Sequence, residues 1–425
     1  MSRLYYFNPD HDLALANGSA HFQAPESATS FAEDLSLLPC WFAEEVASEV
    51  LSDQEFSDDL NVLGLDVATI PLFSKDKIEE FKVEPWGWNL AVRKFFLSNG
   101  VSEKLLPTSE RIDEYKRLAH RRLTIEAMDY LRGQSIYPDS LPFSAVELTT
   151  MSDVNAFALK YPKVVFKAPW SGSGKGVFWS SGQLTPSLSG WCKRVIEKQG
   201  SVMGEVAYNR VQDFAMEFKV GRGDVSFAGY SLFFTEGSGI YRGNYLWSNE
   251  DIEAELIKYV SLDYLSWIRD ELINFLREKV AKIYTGFVGV DMFVYSATRD
   301  TKHEIRDTRH ETRDVRHEMR DVRYEIGEGL SEIVDVEYRI NPVVEFNLRM
   351  TMGMVARVVY DRCVKKGMRG MFTIDHCPPG ELLRDHILQT EENPMEIEEG
   401  RFKKGYFSLC PITEHTVYRA SVVLK

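Results

Sequence analysis

The stretch Val164-Val165-Phe166-Lys167-Ala168-Pro169-Trp170-Ser171-Gly172-Ser173-Gly174-Lys175-Gly176-Val177 constrains this chain most. A short apolar strand carrying one lysine runs into a loop of glycine, serine and a second lysine, and apolar residues then resume. Glycine lacks a Cβ, so backbone N–H groups in such a loop can close around phosphate oxygens. The loop is not a Walker A motif, because Gly176 follows Lys175 and Pro169 stands where the first glycine belongs. The glycine spacing of the dinucleotide fingerprint is also absent. An ordinary glycine-rich hairpin fits the same residues, so the meaning of the stretch depends on what lies downstream.

A chain of 425 residues implies roughly two to four domains. Its net charge of −14 argues against a general nucleic-acid or membrane-surface binder. The five cysteines are dispersed and form no C-x-x-C pair, which points to free thiols in a reducing compartment. The N-terminus lacks the apolar run of a signal peptide, and no segment approaches the roughly 18 apolar residues of a membrane span. The expected location is cytoplasmic.

Leu4 to Phe7 reads as a first strand, followed by the polar turn Asn8-Pro9-Asp10-His11-Asp12. Such a turn lies where α/β domains place ligands. His11 between two aspartates suits substrate orientation or metal binding, and equally a capped turn with a hydrogen-bonded imidazole. Ala32 to Ser52 has mostly helical spacing interrupted by Pro39. Leu60 to Phe73 contains a strand, and Trp86 to Asn99 a helix ending at Gly100. Two helices are expected over Thr108 to Gly133, then short helices over Ser152 to Tyr161 and Trp191 to Gln199. Strands are expected over Val202 to Val206, Phe214 to Val220 and Val225 to Phe234. Thr235 to Asn244 has the composition of a mobile flap, and Asn249 to Ile283 is strongly helical. Residues 299–326 are four copies of a seven-residue unit, RDTKHEI to RDVRYEI, with a heptad seam. Its charges alternate and largely cancel, so it reads as a surface insertion rather than a metal or RNA site.

Two further strands flank that insertion. One is Gly286 to Tyr295, an apolar run interrupted by Asp291; the other is Val343-Val344-Glu345-Phe346-Asn347-Leu348-Arg349. Alternation places Glu345, Asn347 and Arg349 on one face of the second strand. A carboxylate in such apolar surroundings requires a compensating cation or donors. Asp291, Glu345 and Asn347 form an oxygen-only set suited to Mg²⁺, with Arg349 placed to steady a phosphoryl group. A salt-bridged hairpin with Arg349 on Glu345 is the alternative, and the upstream Lys167 strand and glycine loop favour the metal site.

This order of parts resembles the ATP-grasp superfamily over roughly residues 119–375. The fold class it implies is α/β and α+β multidomain, an N-terminal α/β domain followed by a two-lobed ATP-grasp fold. The divisions are an N-terminal domain at 1–118, a small lobe at 119–216 and a large lobe at 217–375. The segment 376–425 would complete the large lobe or the substrate site. FKAPWSGSGKGV looks like the family's lysine strand and phosphate-covering loop, making Lys167, Ser171, Gly172, Ser173, Gly174, Lys175 and Gly176 nucleotide-binding. Lys175 either touches the γ-phosphate or is a solvated charge. VMGEVAYNRVQDFAMEF looks like the hinge, with Glu205 and the backbone through Tyr208 at the adenine edge and Asp213 at the ribose hydroxyls. VGVDMFVY and VVEFNLRMTMG look like the metal strands, giving Asp291, Glu345 and Asn347 as Mg²⁺ ligands (Mn²⁺ being an alternative ion) and Arg349 as the phosphate-side arginine. The sequence departs from the family where an upstream lysine is usual: Arg121 or Arg122 stands there, and Arg122 is taken as the nucleotide-binding residue.

The resemblance implies an ATP- and Mg²⁺-dependent ligase that activates a small-molecule or peptide carboxylate as an acyl phosphate for attack by an amine. Lys167 and Arg349 would act on the transferring phosphoryl group. A small-molecule kinase using the same residues, and a nucleotide-binding regulatory protein without turnover, remain open.

Overall fold

The structure is a computed structural model that describes residues 2–43, 48–56, 63, 67–72, 81–137, 140–172, 176–236, 239–297 and 337–425. The 299–326 repeat and Ser173, Gly174 and Lys175 lie outside these residues.

The chain begins with a parallel α/β domain. Strand β1 (Arg3–Tyr6) leads into helices α1 (His11–Asn17) and α2 (Glu26–Asp34), then β2 (Ser48–Leu51), β3 (Ala68–Ile70), β4 (Lys82–Pro85) and α3 (Leu90–Ser98). The strands pair in parallel in the order β3-β2-β1-β4. Asn89 starts α3 by accepting the Val92 N–H at 2.9 Å, which satisfies a donor the helix cannot. Helical spacing over Ala32 to Ser52 does not yield one helix. The end of α2, a 3-10 turn at Leu38–Trp41 containing Pro39, and β2 share that stretch. Proline's fixed φ and missing N–H account for the break.

Helices α4 (Ser109–Leu118) and α5 (Arg122–Gln134) follow, then a small lobe of β5 (Val146–Leu148), α6 (Met151–Lys160), β6 (Val164–Lys167), β7 (Val177–Ser180), α7 (Pro186–Gln199) and β8 (Val202–Val206). Its antiparallel sheet runs β5-β8-β6-β7. A reciprocal Thr150–Asp153 capping box starts α6, and Thr185 with Pro186 starts α7. Phe157, Phe166, Leu188 and Cys192 pack between these helices and the sheet.

The large lobe contains β9 (Asn209–Val220), β10 (Val225–Glu236), β11 (Ile240–Leu246), α8 (Asn249–Leu256), α9 (Leu262–Lys279), β12 (Gly286–Ala297), β13 (Glu337–Asn347), α10 (Met352–Cys363), β14 (Gly370–His376), α11 (Glu381–Glu392), β15 (Glu396–Glu398), β16 (Arg401–Ser408) and β17 (Tyr418–Leu424). Nine strands pair antiparallel in the order β13-β12-β9-β10-β11-β14-β17-β16-β15. Leu265, Ile268, Leu272 and Leu276 form the buried stripe of α9, and Leu123, Ala127, Met128 and Leu131 of α5 join the same core. The helix placed by sequence at the start of the small lobe thus packs on the large sheet. Residues 376–425 extend that sheet, with β17 against β14 and β16.

Of Thr235 to Asn244, whose composition suggests a flap, Thr235 and Glu236 belong to β10 and Ile240 to Asn244 to β11, while Gly237 and Ser238 lie outside the described residues. Phe233 pairs with Asn244, and β11 continues onto β14. Gly243 permits that approach, since a Cβ there would strike the Phe372 carbonyl. The N-terminal domain shares a core with α10 and the C-terminal strands. Trp41, fully buried, donates its indole N–H to the Leu409 carbonyl at 2.7 Å, and Met350 N–H bonds Trp86 O at 3.0 Å. These contacts fix the first domain beside the chain that leaves β13.

Candidate active site

Strict alternation on three adjacent strands builds the floor of a charged cleft. Val290 pairs with Met216 and Phe346, while Asp291 stands opposite Ala215 and Glu345, and Gly289 opposite Glu217 and Asn347. One face therefore carries Asp213, Glu217, Asp291, Glu345 and Asn347. The other carries Phe214, Met216, Phe218, Val290, Met292 and Phe346, all buried against α5 and α9. The alternation expected for β13 is present, and β9 and β12 share it.

Asp291 is enclosed directly opposite Glu345. Burial, followed by the Glu345 charge, pushes its carboxyl well above the usual carboxylate range, while Arg349 and a hydrogen bond with Asn347 oppose that rise. Two facing carboxylates form a hard-oxygen pair that a divalent cation would relieve, whereas Asn347, expected as a third ligand, turns its Oδ1 to Arg349 and its NH₂ to Asp291. Among the described residues no group of three His, Cys, Asp or Glu side chains is arranged to hold a metal. The donor set suits an ion that keeps few protein ligands and completes its shell with water or phosphate, as Mg²⁺ does.

The opposite wall comes from the small lobe. Lys167, on β6 and only 4% exposed, reaches Glu205 of β8 at 2.6 Å. Burial holds its ammonium below the usual lysine range, although Glu205 works against this. Tyr208 lies just beyond, its ring 4.4 Å from that of Tyr295 and its hydroxyl accepting the Phe143 N–H at 3.0 Å. Asp213 sits at the rim with Arg210 and Thr235 each at 3.4 Å, and burial raises its carboxyl.

The two neighbouring arginines separate. Arg121, 5% exposed, donates through Nη1 to Ala168 O at 2.6 Å and to Ser171 Oγ at 2.8 Å. Its Nη2 lies 2.6 Å from Glu345 Oε2. It thereby ties the start of the glycine loop to the carboxylate floor. Arg122 turns outward, its Nε and Nη2 each 2.6 Å from Glu147, and it lines a separate cavity of about 570 Å³ with His120, Trp170 and Lys279. The assignment of Arg122 to the cleft is therefore corrected to Arg121. The helical phase explains it: Arg121 shares the buried side of α5 with Thr124 and Met128, whereas Arg122 shares the exposed side with Glu126 and Asp129.

Ser171 and Gly172 begin the loop, and Gly176 closes it with φ +83° and its carbonyl 2.9 Å from Ala168 N. A side chain at 172 would collide with the Asp12 carboxylate.

Arg349 meets Asp12 rather than Glu345. Its Nη2 donates to Asp12 Oδ2 at 2.8 Å, and its Nε lies 3.1 and 3.2 Å from the two carboxylate oxygens. Nη2 also donates to Asn347 Oδ1 at 3.1 Å, and Nη1 to Met350 O at 3.1 Å. Of the five N–H groups of a guanidinium, one on Nη1 has no partner among the described residues. The Asp10-His11-Asp12 stretch is neither a metal cluster nor a side-chain-capped turn. His11 opens α1 with its ring against Gly87, burial lowers its imidazole to about 4, and Asp10 makes no cap bond.

Sequence reasoning placed Asp12 in a candidate ligand turn without its partner Arg349, and it missed Glu217. Glu217, 1% exposed, accepts the Thr351 hydroxyl at 2.9 Å while its Oε2 has no partner among the described residues. Burial pushes its carboxyl up to about 8, the Thr351 bond opposing and the Asp291 charge assisting. Gly289 and Gly353 make room for it, since a Cβ at either would crowd its oxygens. The alternation in DFAMEFKV carried the signal: Glu217 interrupts an apolar strand just as Asp291 does.

A parallel α/β domain is followed by two antiparallel lobes around a cleft of Lys, Arg and acidic strands, the arrangement that the resemblance to the ATP-grasp superfamily implies. No protein-family model matches the sequence, and no curated protein matches it. Solved structures similar to the whole chain include N5-carboxyaminoimidazole synthetase from Staphylococcus aureus complexed with ADP, at 10% identity and TM-score 0.46, covering 100% of this chain and 93% of that one. Biotin carboxylase from Campylobacter jejuni matches at 10% identity and TM-score 0.47, covering 100% and 87%. An ATP-grasp superfamily protein from Archaeoglobus fulgidus matches at 12% identity and TM-score 0.41, covering 100% and 99%. The likeness is one of chain arrangement alone. Among the described residues no helix is long and apolar enough to cross a membrane.

Proposed function

We propose that the cleft binds Mg²⁺-ATP and that the protein is a ligase activating a carboxylate as an acyl phosphate for attack by an amine. The observation that carries this reading is the facing of two sets of groups. Lys167 enters from the small lobe and Arg121 from the start of α5, and Asp213, Asp291, Glu345 and Asn347 line one sheet face opposite them.

Nucleotide entry exchanges the internal Lys167–Glu205 pair for contacts with phosphate and adenine. Lys167 offers a buried, fixed positive charge to phosphate oxygens, and Glu205 a carboxylate acceptor for an exocyclic amine. Asp213 at the rim accepts from ribose hydroxyls. Asp291 and Glu345 would hold the Mg²⁺, which when bound supplies charge neutralisation at the phosphates, and Asn347 orients Asp291 through its NH₂. Arg121 holds Ala168 and Ser171, and so sets where the loop meets the phosphates. The one N–H of Arg349 without a partner among the described residues gives the transferring group one directed contact rather than a two-pronged clamp. In the reaction a substrate carboxylate oxygen takes the γ-phosphoryl group and ADP leaves. The amine then attacks the acyl carbon, loses a proton and expels phosphate.

Pooled amino acids, peptides and small carboxylates, incubated with Mg²⁺-ATP, test this by phosphate release and mass spectrometry of products. Ligated product with ADP and phosphate supports the reading. A stable phosphorylated product without phosphate release makes the protein a kinase, and tight ATP binding without turnover makes it a nucleotide-binding regulator.

A further inference from the structure

Resting on the Mg²⁺-nucleotide reading, we propose that Asp12 is the positioning residue of the metal-ligand set: it holds Arg349 away from the Asp291–Glu345 pair and so keeps those carboxylates available to a divalent cation.

A chain of contacts runs from Asp12 through Arg349 and Asn347 to Asp291. A guanidinium only donates and a carboxylate only accepts. Asn347 lies between Arg349 Nη2, 3.1 Å from its Oδ1, and Asp291, to which its side chain also bonds. One amide orientation satisfies both: oxygen toward Arg349 and NH₂ toward Asp291. Asp12 sets that orientation by engaging the Nε and Nη2 edge of Arg349.

Charge gives the second step. The acidic neighbours of Arg349 are Asp12, Glu345 and Asp291. Glu345 already has Arg121 at 2.6 Å. With Asp12 answering Arg349, Asp291 and Glu345 together keep a net negative charge. Without it, the Arg349 charge is answered by those two carboxylates, which places a fixed cation in competition with Mg²⁺.

The anchor is rigid. Ala14 and Leu15 of α1 are each 3% exposed, the His11 ring rests on Gly87, and Met350 N–H bonds Trp86 O at 3.0 Å. Both ends of the Asp12–Arg349 pair are thus held by one shared core. Gly172 closes on the Asp12 carboxylate from the loop side. Asp12 touches neither nucleotide nor metal in this account and acts through Arg349.

The test is Mg²⁺ titration of ADP binding to the full chain by calorimetry, for wild type, Asp12→Asn and the double variant Asp12→Asn/Arg349→Met. Asp12→Asn should raise the half-saturating Mg²⁺ concentration about tenfold, the scale of one charge-assisted interaction, and leave metal-free ADP binding unchanged. The double variant, which removes the competing cation as well, should return the midpoint to the wild-type value or below. It loses both charges together and so remains the folded test if Asp12→Asn alone unfolds. An unchanged midpoint in Asp12→Asn, or a double variant that binds Mg²⁺ more weakly than wild type, overturns the proposal. Failure of the wild type to bind ADP with or without Mg²⁺ instead overturns the nucleotide reading beneath it.

Discussion

Arg121 Nη2 lies 2.6 Å from Glu345 Oε2, while the adjacent Arg122 faces Glu147 on the outer side of the same helix. One residue step at the start of α5 thus separates a buried charge on the cleft floor from an exposed pair. Arg122→Ala should change stability by about 0–1 kcal/mol, as exposed pairs do, and leave ADP affinity unaltered. Arg121→Lys keeps the charge but loses the fork that joins Ala168, Ser171 and Glu345, and should weaken ADP binding about tenfold. Calorimetric affinities of the two variants, with urea midpoints as the folding control, decide between them.

Lys167 is the phosphate contact in this account. Lys167→Met retains most of the buried stem and removes the ammonium, so nucleotide affinity should fall about 10–100-fold. Unchanged ATP affinity in a folded variant would remove Lys167 from the site.

Glu217 links the cleft to pH. Its folded carboxyl is raised to about 8 from an ordinary 4.5, mainly by burial. Between those values the native state holds a proton that the unfolded chain releases. Stability from this group is therefore complete below about 4.5, falls as pH rises toward 8, and levels off above it. Glu217→Gln stays neutral throughout. Its stability advantage over wild type should grow by roughly a few kcal/mol from pH 5 to pH 8.5, read from urea midpoints at the two values. A constant difference would mean that Glu217 is ionised in the fold.

Gly353 carries a packing prediction. A Cβ there would press on Glu217 Oε1 and Ser231 Oγ, both buried. Gly353→Ala should cost about 1–3 kcal/mol through overpacking, and Gly353→Ala in the Glu217→Ala background should cost less, because the colliding carboxyl is gone.

The acidic strands were legible because period-two alternation is local: one carboxylate in an apolar run marks the residue and its face together. That logic located Asp291, Glu345 and Asn347 and, applied to DFAMEFKV, also locates Glu217. Partners contributed by distant chain were not legible. Arg349 can pair Glu345 four positions away, yet it pairs Asp12 across 337 positions, because the α1–Trp86–Met350 packing brings that carboxylate to its Nε edge. Thr235 to Asn244 has loop-like composition, yet it belongs largely to strands because β14 supplies a partner over a hundred residues later. Helical phase did contain the choice between Arg121 and Arg122, through the buried Thr124 and Met128 that follow.

The most direct measurement is calorimetric titration of the full chain with a non-hydrolysable ATP analogue, with and without Mg²⁺, alongside Glu345→Gln. The account predicts saturable binding that Mg²⁺ strengthens in the wild type, with most of the Mg²⁺ effect lost in Glu345→Gln. No binding under either condition, or a Mg²⁺ effect that survives intact in Glu345→Gln, would contradict it.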